Sequence, residues 1–145
     1  MCLFGVVMNK LLVVFSAGCL GGLANSLAVW WFGDNGIMAL LNVSIAPSLS
    51  AAWLYPRIVW GGIWGLVFLV PLLKKRLILK ASLLSLLPSA VQLFVVFPLK
   101  AGKGMAGLDL GVYTPIFVVF FNWVWAVVTV YAIKFSRKNS YRRNW

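Results

Sequence analysis

Four long apolar stretches, at about residues 11–32, 54–73, 77–97 and 113–135, constrain this chain more than any other feature. Each approaches the roughly 20 residues that a helix needs to cross a bilayer's hydrocarbon core. Backbone groups in lipid have no water to bond, so each stretch must satisfy its own N–H and C=O groups as a helix. Composition agrees: 63% of the 145 residues are hydrophobic and only 10% are charged. A soluble domain of this size needs far more polar surface than that. The expectation is an all-α, four-helix transmembrane bundle forming a single integral membrane domain over residues 1–145, with a basic tail at 136–145. Pro56 falls near the start of the second span and Pro71 near its end. Pro88, at mid-depth in the third, predicts a kink.

The charges set an orientation. Thirteen Lys and Arg stand against two Asp. Lys10, Lys74, Lys75, Arg76, Lys80, Lys134 and the tail basics fall on one side of the spans, and only Arg57, Lys100 and Lys103 on the other. Positive residues favour the cytoplasmic side, so both termini are expected there. Trp30, Trp31, Trp53, Tyr55 and Tyr113 mark the opposite, outer interface. The same reading explains the net charge of +11 without nucleic acid, whose readers need a soluble basic face.

Several chemistries lack their residues. The chain has no histidine, which removes the commonest metal and haem ligand. Cys2 and Cys19 lie too far apart for a metal-binding spacing and read as isolated small apolar residues. The two carboxylates, Asp34 and Asp109, both belong to outer loops, so no mid-membrane acid is present to carry a proton. No nucleophile–base pair is evident either. The expectation is a protein that is not an enzyme and needs no cofactor.

"GKGMAG", residues 102–107, matches the dinucleotide fingerprint letter by letter. That motif requires a strand before it, a helix opening from it and an acid about 20 residues later. Here it closes a transmembrane span, Pro115 follows, and no acid comes after Asp109. Nor does it serve as a phosphate-binding P-loop, since Lys103 precedes a glycine instead of Ser or Thr. Lys100, Lys103 and Asp109 remain as candidate contacts for lipid or a partner, on a flexible turn or a partly re-entrant loop. "MNKLLVVFSAGC" resembles a lipoprotein signal, but its apolar run continues past Cys19 to Phe32, a full span.

Two spans carry small-residue faces. Gly18, Gly21 and Gly22 in the first, with Gly61, Gly62 and Gly65 in the second, allow helix backbones to approach closely. They could contact each other or a second chain. The third span sets Ser82, Ser85, Ser89 and Gln92 on one stripe. At a rise of about 1.5 Å per residue, Asn25, Gln92 and Asn122 share the outer half of the bilayer, with Arg57 above them. Asn25, Arg57, Ser89, Gln92 and Asn122 are therefore either interhelical glue or a polar vestibule.

"GLANSLAVWWFG", "APSLSAAWLYPRIVWGG" and "VQLFVVFPLKAGKGMAGLDLG" resemble small four-span inner-membrane proteins of bacteria to which no function is assigned. The resemblance implies a multi-pass protein of the bacterial inner membrane and no activity. The leading expectation is an accessory subunit packing against other membrane proteins or itself. The alternative is a small homodimeric channel or carrier for an anion or polar solute, using Arg57 and the Asn25/Gln92/Asn122 cluster. A third is a lipid-binding or assembly factor.

Overall fold

The computed structural model describes residues 2–142, and all regular structure among them is helical. Helix α1 spans Cys2–Asp34, and a single turn, α2, covers Ile37–Leu40. Helix α3, Ala51–Gly65, tightens into a 3-10 turn at Leu66–Leu69. Helix α4, Leu77–Val91, widens into a π-helix at Gln92–Ala101. A 3-10 segment at Met105–Leu110 then leads to α5, Thr114–Arg142. Four stretches are long and apolar enough to cross a membrane: Leu3–Asp34, Ala51–Leu69, Leu77–Ala101 and Thr114–Lys138. The chain is a multi-pass, all-α membrane protein.

The ends of the spans differ from the sequence expectation for identifiable reasons. Helix α1 begins at Cys2, and Lys10 rides on its exposed side, where a long basic side chain leaves the helix unbroken. Helix α3 begins at Ala51 because Ser50 caps it, its Oγ accepting from the Trp53 N–H at 3.3 Å. Pro56 is consequently inside the helix, beyond the first turn where a missing N–H costs nothing. The second span stops at Leu69, and the stretch through Pro71 is non-helical. The α assignment of α4 runs through Pro88 to Val91, and the change of winding comes at Gln92. The expected tail at 136–145 is helical through Arg142; residues 143–145 lie outside the described residues.

Helix α3 packs on α1, α1 on α5, and α5 on α4, whereas α3 and α4 are not packed against each other. The spans thus form a row, α3–α1–α5–α4, instead of a closed square. The α1–α3 seam is made of glycine. A Cβ on Gly61 would sit 2.7 Å from the Gly18 oxygen, and one on Gly65 2.8 Å from the Val14 oxygen. One on Gly22 would lie 2.8 Å from the Arg57 oxygen. Such distances exclude any side chain unless the helices separate. Gly62 meets Phe15 and Cys19 of α1, while Gly21 faces Trp125 and Thr129 of α5. The Trp125 indole N–H crosses to the Gly61 oxygen at 3.2 Å.

Near the end that carries both chain termini, Phe68, Leu84 and Trp125 join one apolar cluster with Val14 and Val130. Lys80 Nζ donates there to the oxygens of Phe68, at 3.1 Å, and Val70, at 2.9 Å. These carbonyls have run out of helix to bond them. At the other end, called here the loop end, Met38 of α2 is buried with Val29, Val43, Phe117 and Phe121. This plug holds the 35–50 connection down on α1 and α5.

Candidate functional site

Arg57, Gly61 and Gly65 follow one another at intervals of four, so all three share the face of α3 that meets α1. The guanidinium therefore points into the bundle, about a turn and a half below the start of α3. Its Nε donates to Ser26 Oγ at 3.0 Å, and Nη2 donates to Asn25 Oδ1 at 2.9 Å. The ring centroid of Trp53, one turn earlier, lies 4.7 Å from the guanidinium carbon, close enough for a cation–π contact.

From Arg57 the polar contacts run across the whole row of helices. Asn25 Nδ2 donates to the Phe121 oxygen at 2.7 Å and reaches Asn122 Oδ1 at 3.5 Å. Asn122 Nδ2 in turn donates to Ser89 Oγ at 3.1 Å and Gln92 Oε1 at 3.3 Å. Ser89 donates to the Ser85 oxygen at 2.7 Å, back along its own helix. Asn25, Arg57, Ser89, Gln92 and Asn122 are thus joined in one network spanning α1, α3, α4 with its π-helix, and α5. Its polarity is uniform. At each step away from Arg57 the nearer residue donates an N–H and the farther residue's oxygen accepts it.

A cavity of about 410 Å³ lies against this network at the loop end, within the size range of small-molecule sites. Asn25, Arg57 and Gln92 line its inner part, and Lys103 stands at its rim. Val29, Trp53, Phe117 and Phe121 supply apolar walls, and residues 44–47 close over the top. Ser89 and Asn122 are buried behind the lining. Only two of the five N–H groups of Arg57 have protein acceptors among the described residues. Arg57 and Gln92 both line the cavity, and the Gln92 side chain serves the network through its oxygen, which accepts from Asn122. Neither carboxylate of the chain is in the lining. Two cations and an amide donor converge on this space, and no anion answers them.

The chain has no match among protein families, curated proteins or solved structures. What the site does must be read from its own chemistry.

The other residues singled out in the sequence divide. Gly18, Gly22, Gly61 and Gly65 form the seam that presses Arg57 onto α1, and Gly21 and Gly62 flank it. Lys100 is exposed outside the cavity lining. The Asp109 carboxylate packs over Gly104, with Oδ1 2.9 Å from where a Cβ would stand. Its amide donates to the Lys103 oxygen at 3.2 Å. Asp109 thus shapes the loop that carries Lys103. The "GKGMAG" segment follows a π-helix and turns through Gly102 and Gly104 with positive φ, with no strand before it. Ser26 and segment 44–47 join the site without a signal in the sequence analysis, and Trp53, expected only as an interface marker, becomes a wall of the cavity. Ser26 follows Asn25 directly, and Trp53 precedes Arg57 by one turn, so both spacings are legible in the sequence.

Proposed function

We propose that this protein is a non-catalytic, multi-pass protein of the bacterial inner membrane that binds anions in the Arg57 cavity, as a small carrier or channel must. The single observation behind the reading is that Arg57 sits within a spanning helix, held by neutral oxygens, with Lys103 nearby and no carboxylate in the lining. A charged residue in a span is costly, up to about 3 kcal/mol at the helix centre on insertion scales and less towards the ends. Hydrogen-bond glue alone does not need that expense, because Gln or Asn would serve. A guanidinium keeps geometry suited to bidentate capture of a carboxylate or phosphate.

The test is equilibrium binding of inorganic phosphate to the protein purified in an uncharged detergent. Saturable binding that Arg57→Gln reduces at least tenfold supports the reading. Identical curves for wild type and variant remove it.

The accessory-subunit reading keeps one specific support. The glycine faces are occupied internally, but the outward sides of α3 and the π-helix expose Trp60 and Phe94, each 57% accessible. These could meet either lipid or a partner helix. Purification under native conditions as a lone protomer would exclude the partner.

A further inference from the structure

The elements around the cavity differ in how they are joined. Helices α1 and α5 form its floor, and the 3-10 loop and segment 44–47 form its roof, tied together by the Ser44 N–H donating to the Leu110 oxygen at 2.7 Å. Lys103 is fixed over the π-helix by its own N–H, which bonds the Phe97 oxygen at 2.9 Å. The remaining walls are α3, bearing Arg57, and the π-helix, bearing Gln92. These two elements do not pack together. That leaves a gap between two membrane-spanning elements, at a depth where a bilayer would present lipid.

Winding contributes to the gap. The π-helix adds a residue to each turn, and Gln92 and Phe97, five apart, both line the cavity. Trp60 on α3 and Phe94 on the π-helix lie outside it, apolar and exposed. A ligand in this place meets cations at its head and hydrocarbon-compatible surface beside it. By a rise of about 1.5 Å per residue, Arg57 lies about 9 Å below the first residue of α3. That is close to the boundary between head groups and acyl chains, since each head-group layer is about 5–7 Å thick.

We infer that the anion taken by the Arg57 cavity is a phosphate borne on a membrane lipid, which enters sideways between α3 and the π-helix with its acyl chains left in the bilayer. This rests on the anion reading above and names its ligand. Arg57 and Lys103 hold the phosphate from below and above, and Gln92 donates from the far wall. A zwitterionic head group is disfavoured, because its ammonium would be brought up to two cations with no carboxylate to receive it.

The experiment uses the full chain, delipidated in uncharged detergent and then exchanged into nanodiscs of phosphatidylcholine with or without phosphatidylglycerol. Native mass spectrometry counts retained lipid, and inorganic phosphate is the soluble competitor. The expected result is phosphatidylglycerol retained at least tenfold over phosphatidylcholine. Arg57→Gln should lose that preference, Lys103→Gln should weaken it several-fold, and millimolar inorganic phosphate should not displace the lipid. Lys103 is exposed at the rim, so its variant decides the matter if Arg57→Gln does not fold. Retention indifferent to Lys103→Gln, and to Arg57→Gln where that folds, overturns the inference. Ready displacement by inorganic phosphate also overturns it while leaving the anion site standing. Absence of binding by either phosphate source removes both.

Discussion

The Arg57 guanidinium donates to the side-chain oxygen of Asn25 at 2.9 Å, an uncharged acceptor in a place where a carboxylate would neutralise it. The contact orients the cation without cancelling its charge. An arginine kept for packing would gain from a counter-ion, whereas one kept to attract an anion would be silenced by it.

Arg57→Leu should therefore change the protein's stability little. It gives up two hydrogen bonds, each worth about 1 kcal/mol, and relieves a partly desolvated cation near the end of a span, whose cost is below the roughly 3 kcal/mol of a mid-span charge. Unfolding measured in detergent should show stability within about 1 kcal/mol of wild type, since the two effects largely offset. A loss above about 2 kcal/mol would mean that the residue is structural, since buried pairs broken on one side behave that way.

The glycine seam should respond in the opposite sense. Gly61→Ala and Gly65→Ala each put a Cβ within 3 Å of α1 backbone, and overpacking of this kind costs about 1–3 kcal/mol. Both variants should lower thermal stability without altering oligomeric state, because the seam is internal. Gly5→Ala, with nothing within 4 Å of the added carbon, is the matched control and should be neutral. A change of oligomeric state in the seam variants would place a second copy at that face.

Lys80→Met should cost about 1–2 kcal/mol, the usual consequence of leaving acceptors unpaired. Its ammonium group is the partner of the Phe68 and Val70 carbonyls, and methionine keeps the apolar stem but not the donors. Lys80→Arg should recover most of the loss. Equal stability of the methionine variant would show that water serves those carbonyls as well.

Much of this architecture is legible along the chain, because lipid permits so few solutions. Four apolar lengths imply four helices, and depth along each helix places Asn25, Gln92 and Asn122 in one layer. Boundaries are less legible, since they depend on weak local choices. Lys10 looks like a stop until the helix carries it outward, and Ser50 moves the start of α3 by accepting one hydrogen bond. The π-helix at Gln92–Ala101 leaves no periodic signature, because that segment is apolar nearly all round. The glycine faces show that close packing occurs but not which helices meet, because a small-residue face fits a helix of the same chain or of a second copy equally well. The cavity was likewise hidden, as it depends on α3 and α4 failing to pack.

Orientation follows from the basic residues. A reporter fused after Trp145 should be active in the cytoplasm, and one inserted in the 102–107 loop should be active on the far side. The reverse pattern would put the cavity at the cytoplasmic face.

The most direct measurement compares phosphate binding by wild type and Asn25→Asp, in the same uncharged detergent and at fixed ionic strength. Replacing the amide with a carboxylate gives Arg57 a permanent internal partner at nearly unchanged shape, at the cost of the N–H that Asn25 donates to the Phe121 oxygen. Affinity should fall at least tenfold, with a stability loss of about 1–3 kcal/mol from the unpaired Phe121 carbonyl. An unchanged affinity in the aspartate variant would show that phosphate binds elsewhere and that Arg57 is not the anion's partner.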